Sequence, residues 1–261
     1  MDSAFCTEKQ LLSPEFQMWR KFYKIPPDFL HRKVWEYCFI SQGLLEHDML
    51  RPGKHGLGFG VGGEPLASGF ASYGASITAT DLDFEEAAKK GWVVTEQHCR
   101  NKEQLNAGGL CPEELFDKLV DFEFCDMNNI PTKYYNKFDF VWSSCALDHL
   151  GSMEKGNEFI FNSLKCLKKG GIAVHTTEFN VSSNTETWST EDLYIFRKCD
   201  IETIIHECHL KGYNVSINWD YGTSFSDYHI DVPPYKHNPH LKLKIADFTV
   251  TSIGLIITKP L

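Results

Sequence analysis

The chain has 261 residues, 42% of them hydrophobic and 23% charged, with a formal net charge of −9. That composition belongs to a folded globular protein rather than a disordered one. The acidic balance argues against a broad nucleic-acid surface, which needs clustered Lys and Arg to displace counterions from phosphates, and leaves a local basic groove as the alternative. No run approaches the ~18 apolar residues of a membrane helix, and the start "MDSAFCTEKQ" lacks the basic-then-apolar layout of a signal peptide. A cytoplasmic protein with no membrane association and no nucleic-acid partner is expected. Nine cysteines, scattered and without a C-x-x-C pair, suggest neither a disulfide framework nor a zinc site, and no metal ligand set is expected.

Residues 1–52 form a helical cap in this reading. "EFQMWRKFY" and "FLHRKVWEYCFISQGLLEHDML" carry aromatic and aliphatic residues at helical spacing, with Pro26-Pro27 between them. If the cap closes as a lid, Trp35 and Tyr37 are its candidate contacts; packing on the outside of a sheet is the alternative. "RPG" at 51–53 punctuates, and residues 53–261 read as one α/β domain. A short strand runs into "HGLGFGVGGEP", residues 55–65, where Gly58, Gly60 and Gly62 match a G-x-G-x-G spacing while Gly58, Gly60 and Gly63 match G-x-G-x-x-G. "EPLASGFASYG" predicts a helix, "ASITATDLD" a strand, and "DFEEAAKKG" a helix closed by Gly91. Residues 91–120 exceed what a compact crossover needs and read in part as an insertion of the kind that carries specificity.

"VDFEFCDM" and "KFDFVWSSCALDHL" follow as strands, "NEFIFNSLKCLKKGG" as an amphipathic helix, and "IAVHTTEF" as a further strand. After the helix "DLYIFRKCDIETIIHECHLKG", the runs "YNVSINW" and "FTVTSIGLIITKP" lack a helix between them and should pair antiparallel at the sheet edge. The alternation of strands and helices predicts an α/β Rossmann-like fold: a seven-stranded, mostly parallel sheet with an antiparallel C-terminal strand and helices on both faces. The glycines permit close backbone approach to a nucleotide-like cofactor. Asp81, about twenty residues on at a strand end, can accept from both ribose hydroxyls, a role that would serve NAD equally.

From about residue 53 to its end the chain resembles the class I S-adenosylmethionine-dependent methyltransferases. The resemblance rests on an ordered set: "GFGVG", "ATDLD", "EFCDMNNIP", "FDFVWSSCALDHL", "LKCLKKGG", and the final strand pair without a helix. It implies S-adenosylmethionine as cofactor, held by Gly58, Phe59, Gly60 and Gly62 in the loop, by Asp81 and Leu82, by Asp126 and Met127 on the adenine side, and by Ser143 in the fourth strand. A turn-capping role before Asn128 is the alternative for Asp126. The acid that the family commonly carries two positions before the first loop glycine is replaced here by Gly56, and Glu64 is the candidate to meet the amino end of the methionine moiety.

Transfer to a hydroxyl is helped by a general base, and the loops after strands four and five are its natural places. His149 is the candidate base or orienting group, with Asp148 as its partner; a helix-capping aspartate beside a hydrogen-bonded histidine is the alternative. Glu178 is a candidate for binding a substrate hydroxyl, or else a surface-loop carboxylate. In "SDYHID", Asp227, His229 and Asp231 share one face if extended, which makes His229 and Asp231 candidate acceptor contacts; a solvated loop face is the alternative. The polar, aromatic loop around them carries residue types that stack on and hydrogen-bond sugars. An O-methyltransferase acting on a sugar or glycan hydroxyl, or on another small polar acceptor, is expected. An NAD-dependent oxidoreductase or epimerase, and a cofactor-binding module without turnover, are the alternatives.

Overall fold

A computed structural model describes residues 1–94 and 97–261. Its strands are β1 (Ala4–Phe5), β2 (His55–Phe59), β3 (Ser76–Asp81), β4 (Val120–Phe124), β5 (Phe138–Ser144), β6 (Leu167–Asn180), β7 (Ile230–Asp231), β8 (Lys242–Ile245) and β9 (Phe248–Thr258). Its α-helices are α1 (Glu8–Leu11), α2 (Pro14–Phe22), α3 (Arg32–Glu46), α4 (Leu66–Ser72), α5 (Phe84–Lys89), α6 (Glu113–Leu119), α7 (Met153–Cys166), α8 (Lys198–Leu210) and α9 (Phe225–Tyr228). No helix among the described residues is long and apolar enough to cross a membrane.

The strands form one sheet in the order β4-β3-β2-β5-β6-β9-β8-β7. From β4 to β6 every pairing is parallel, and β9 then runs antiparallel to β6 over Ile172–Asn180. Successive residues of a strand face opposite sides, and β5 shows the consequence. Phe140 and Trp142 join Ile172, Val174 and Ile256 in one apolar layer, while Val141 joins Ala173, Leu255 and Ile257 in the other. Helices α2, α3 and α4 cover the first layer, and α7 and α8 the second. Ser152 starts α7 by accepting from the Lys155 backbone N–H, as an N-cap serine does.

The α/β sheet with helices on both faces agrees with the expected class, but the strand count is nine among the described residues, not seven. The far edge of β9 is shared. Its start pairs with β8, Gly254 and Ile253 pair with β1, and Thr258 meets Asn214 in an isolated bridge. "YNVSINW" therefore contributes bridges rather than the expected strand: β8 pairs with Phe248–Val250 and β1 with Ile253 and Gly254, while Ile217 meets Ser3, just before β1. The segment before α8 also differs: Phe196 bridges Phe179 of β6, Tyr194 bridges Ser189, and residue 198 begins the helix.

The N-terminal segment is not wholly helical, since β1 enters the sheet. Helix α3 lies on β5, β6 and β9. Gly254 makes that seat possible, as a Cβ there would fall 2.2 Å from the Phe39 ring.

Candidate active site

Strand order reverses between β2 and β5, and crevices at such points open beyond the carboxyl ends of the strands. A cavity of about 800 Å3 lies there, near the upper end of the ~300–1,000 Å3 usual for small-molecule sites. Its floor is the turn from β2 into α4. Gly60 and Gly62 take positive φ, +57° and +50°, and a Cβ on Gly62 would sit 2.8 Å from the Gln97 carbonyl oxygen. Gly63 has neither constraint. The backbone thus makes its demands at the G-x-G-x-G positions.

On the β3–β4 side, Asp81, Leu82, Asp126 and Met127 line the cavity. Asp81 is buried and holds three backbone N–H groups: its Oδ2 accepts from Gly62 and Cys99, and its Oδ1 from Leu82. Asp126 caps a turn by accepting from the Asn128 N–H, the alternative weighed for it, while still facing the cavity. The insertion contributes Trp92 and Gln97 to the wall; Thr95 and Glu96 lie outside the described residues.

The β5–β6 side holds a buried charged cluster whose hub comes from the N-terminal helix. Glu36, fully buried, accepts from Arg32, Lys33, Ser144, Thr176 and Ser252. Arg32 also donates to Glu178 and reaches the Cys145 sulfur at 3.5 Å, and Lys33 lies 3.6 Å from Glu64. Burial opposes ionisation throughout, yet Lys33 and Arg32 together hold the Glu36 carboxyl below its ordinary value, and their own pKa values rise well above ordinary ones. Glu64 is less well compensated. Burial pushes its carboxyl up to about 7 against the partial pull of Lys33, and its Oε2 has no partner. Burial likewise raises the Glu178 pKa despite Arg32, and Glu178 Oε2 is unpartnered.

His149 stands on the cavity wall in a short 3-10 turn, Leu147–His149. Its Nδ1 lies 2.6 Å from the Asp192 carbonyl oxygen, which can only accept, so Nδ1 carries the proton and, in the neutral ring, Nε2 presents a lone pair. Asp148 is not its hydrogen-bond partner. The tight turn sends the two side chains apart, leaving 3.9 Å between Nε2 and Asp148 Oδ2, and the Asp148 side chain is buried beneath Cys145, whose thiol donates to it at 3.4 Å.

Several expected contacts lie away from the cavity. Gly58 is where β2 passes Trp142, and a Cβ would come within 2.3 Å of that ring. Phe59 packs edge-on against Phe159 in the opposite core layer. Ser143 is buried against His175 Nδ1; strand alternation gives the cavity position to Ser144 instead. Glu178 is no surface-loop residue but a buried member of β6, paired in register with Ser252. The "SDYHID" face does not form, because α9 takes up Phe225–Tyr228. Asp227 caps α9 and accepts from the Glu8 N–H, and Asp231 is held by His240 and the Lys236 and His237 N–H groups. Asp231 and His229 do not line the cavity. Tyr37 reaches it, whereas Trp35, two residues back on the helix, is fully buried with its indole N–H on Gln10. Arg32, Lys33, Glu36 and Cys145 had no signal in the sequence beyond being polar residues on an otherwise apolar helix or strand end.

Residues 57–175, from β2 into β6, match the family model for a methyltransferase domain. A sequence search of curated proteins finds no match. Among solved structures, a protein described as a sarcosine dimethylglycine methyltransferase from Galdieria sulphuraria superposes with a TM-score of 0.54 at 14% identity, covering 95% of this chain and 99% of that one. A chain of the complex between the Haloferax volcanii Trm112 methyltransferase activator and its methyltransferase gives 0.53 at 13% identity, covering 96% and 98%. A methyltransferase from Bacillus halodurans gives 0.50 at 15% identity, covering 84% and 97%. At these identities the structures speak for the fold, and the domain match speaks for the cofactor loop; the NAD-dependent alternative finds no support. Residues 57–175 thus match a methyltransferase domain, and the fold around them is the one these structures share.

Proposed function

We propose that the chain methylates a hydroxyl of a small polar acceptor, a sugar or other polyol, with His149 as general base. The observation that carries this reading is the pairing, on one cavity wall, of a histidine whose Nε2 is left as an acceptor with a buried carboxylate oxygen, Glu178 Oε2, that lacks a donor. A hydroxyl group can donate to either.

The residues on the cavity wall fit the cofactor. Asp81 meets one ribose hydroxyl, since three of the about four lone pairs of its carboxylate already accept backbone N–H groups. Asp126 and the Met127 N–H take the adenine edge, and the unpartnered Glu64 Oε2 takes the methionine ammonium. Bound S-adenosylmethionine supplies an electrophilic methyl group on a sulfonium, which leaves the protein to hold a nucleophile in line and keep water away. Glu178 orients the acceptor hydroxyl, and His149 Nε2 takes its proton as the oxygen attacks. A volume of about 800 Å3 is enough for a nucleoside cofactor with a small acceptor group beside it.

The test begins with calorimetric titrations of S-adenosylmethionine, S-adenosylhomocysteine and NAD. Saturable binding of the first two and none of the third is expected. Transfer of a labelled methyl group is then followed across polyols, sugars and amines of similar size. Label on hydroxyl oxygen supports the reading, and label confined to amines replaces it.

A further inference from the structure

Beside the cavity three potential metal ligands converge on one point. The Cys145 sulfur and one carboxylate oxygen each of Asp148 and Glu178 lie within 4.8 Å of one another. Asp148 is 1% exposed and Glu178 5%, and in each one oxygen, Oδ1 and Oε2, has no hydrogen-bond partner. Buried carboxylates are ordinarily hydrogen-bonded, paired or bound to a cation. Arg32 and Lys33 are shared among Glu36, Glu64 and Glu178, with Arg32 also reaching the Cys145 sulfur, and of basic groups Asp148 has only the His149 ring at 3.9 Å, beyond hydrogen-bond distance. Cys145 is held in place, its N–H donating to the Thr176 carbonyl at 3.0 Å and its φ at +48°.

We propose that Cys145, Asp148 and Glu178 bind one divalent cation of borderline softness, of the Zn2+ type, with a fourth position open to the acceptor. A sulfur with two carboxylates selects such an ion over Mg2+ or Ca2+, which take oxygen ligands alone. Three protein ligands and one open position is the arrangement of a catalytic zinc rather than a structural one. Cys145 and Glu178 both line the cavity, so the open position faces it. Binding replaces the thiol proton of Cys145 by the metal and releases that proton to solvent. An acceptor hydroxyl on the ion becomes more acidic and gives its proton to His149 Nε2, the metal acting as Lewis acid. The inference deepens the acceptor assignment and rests on it for where the hydroxyl sits, with Glu178 then acting on the hydroxyl through the ion rather than by a direct hydrogen bond; the binding of the ion itself does not depend on it.

The test uses the full-length protein, treated with chelator and titrated with Co2+. One equivalent should bind with a thiolate-to-cobalt charge-transfer band in the near ultraviolet, and Zn2+ should abolish the band by displacement. Cys145→Ser should lose the band, and Asp148→Asn and Glu178→Gln should each weaken Zn2+ binding by at least tenfold. Calorimetric binding of S-adenosylmethionine to each variant reports that the fold is intact. Absence of a saturable thiolate signal in the wild type, its survival in Cys145→Ser, or unchanged Zn2+ affinity in the two carboxylate variants would each overturn the proposal. The two readings fail separately: loss of cofactor binding in the metal-free protein counts against the methyl-transfer site, while loss of the cobalt signal with cofactor binding retained counts against the metal alone.

Discussion

With the cofactor ammonium against Glu64, as proposed above, cofactor binding should be coupled to a proton at that residue. Its side chain is 13% exposed, and burial raises its carboxyl to about 7 from an ordinary 4.5. That difference corresponds to about 3 kcal/mol between the protonation states. Because the pKa is raised on folding, the folded chain holds an extra proton between pH 4.5 and 7; the associated stability is full below 4.5 and is lost as pH rises through 7. An ammonium placed against Glu64 reverses the preference and draws the carboxylate out. At pH 6 about nine in ten Glu64 side chains are protonated, so binding S-adenosylmethionine should expel roughly one proton, and at pH 8 roughly none. Affinity should be about tenfold weaker at pH 6 than at pH 8. Calorimetry in two buffers of different ionisation enthalpy measures the proton directly, and Glu64→Gln supplies the control that subtracts the titration of the cofactor's own amine. Equal proton release and equal pH dependence in wild type and Glu64→Gln would refute the reasoning.

Three further outcomes are expected. His149→Ala should lower kcat by about 10²–10⁴ with the affinity for S-adenosylmethionine unchanged; single-turnover kinetics showing normal methyl transfer would remove His149 as base. Glu36→Ala leaves five donors without their shared acceptor and two cations unbalanced, and should cost about 3–5 kcal/mol in denaturant unfolding. A loss under about 1 kcal/mol would mean that the cluster does not anchor α3. Gly62→Ala should weaken cofactor binding more than it weakens the fold, since its Cβ would meet the Gln97 carbonyl at a φ of +50°; an unaltered calorimetric isotherm would show that the loop adjusts freely.

The sequence by itself determined the local alternation of strands and helices, the placing of the glycine turn behind β2, and the acids at the ends of β3 and β4. Each of these follows from interactions among residues close along the chain: apolar periodicity, backbone freedom at glycine, and turn chemistry. The two glycine spacings stayed equivalent until backbone angles separated Gly62 from Gly63. Pairing across long separations had no such local mark. Tertiary structure decided that β8 and β1 share the far edge of β9 and leave "YNVSINW" a single bridge to it, since strand propensity does not specify a partner. It turned Asp231 toward His240 and away from the cavity. Above all it placed Glu36 of α3 against Ser144, Thr176 and Ser252, residues 108 to 216 positions away, so that a helix read as a cap supplies one wall of the site. A buried charge needs partners gathered from wherever the fold brings donors together, and that gathering is a property of the closed sheet rather than of any segment within it.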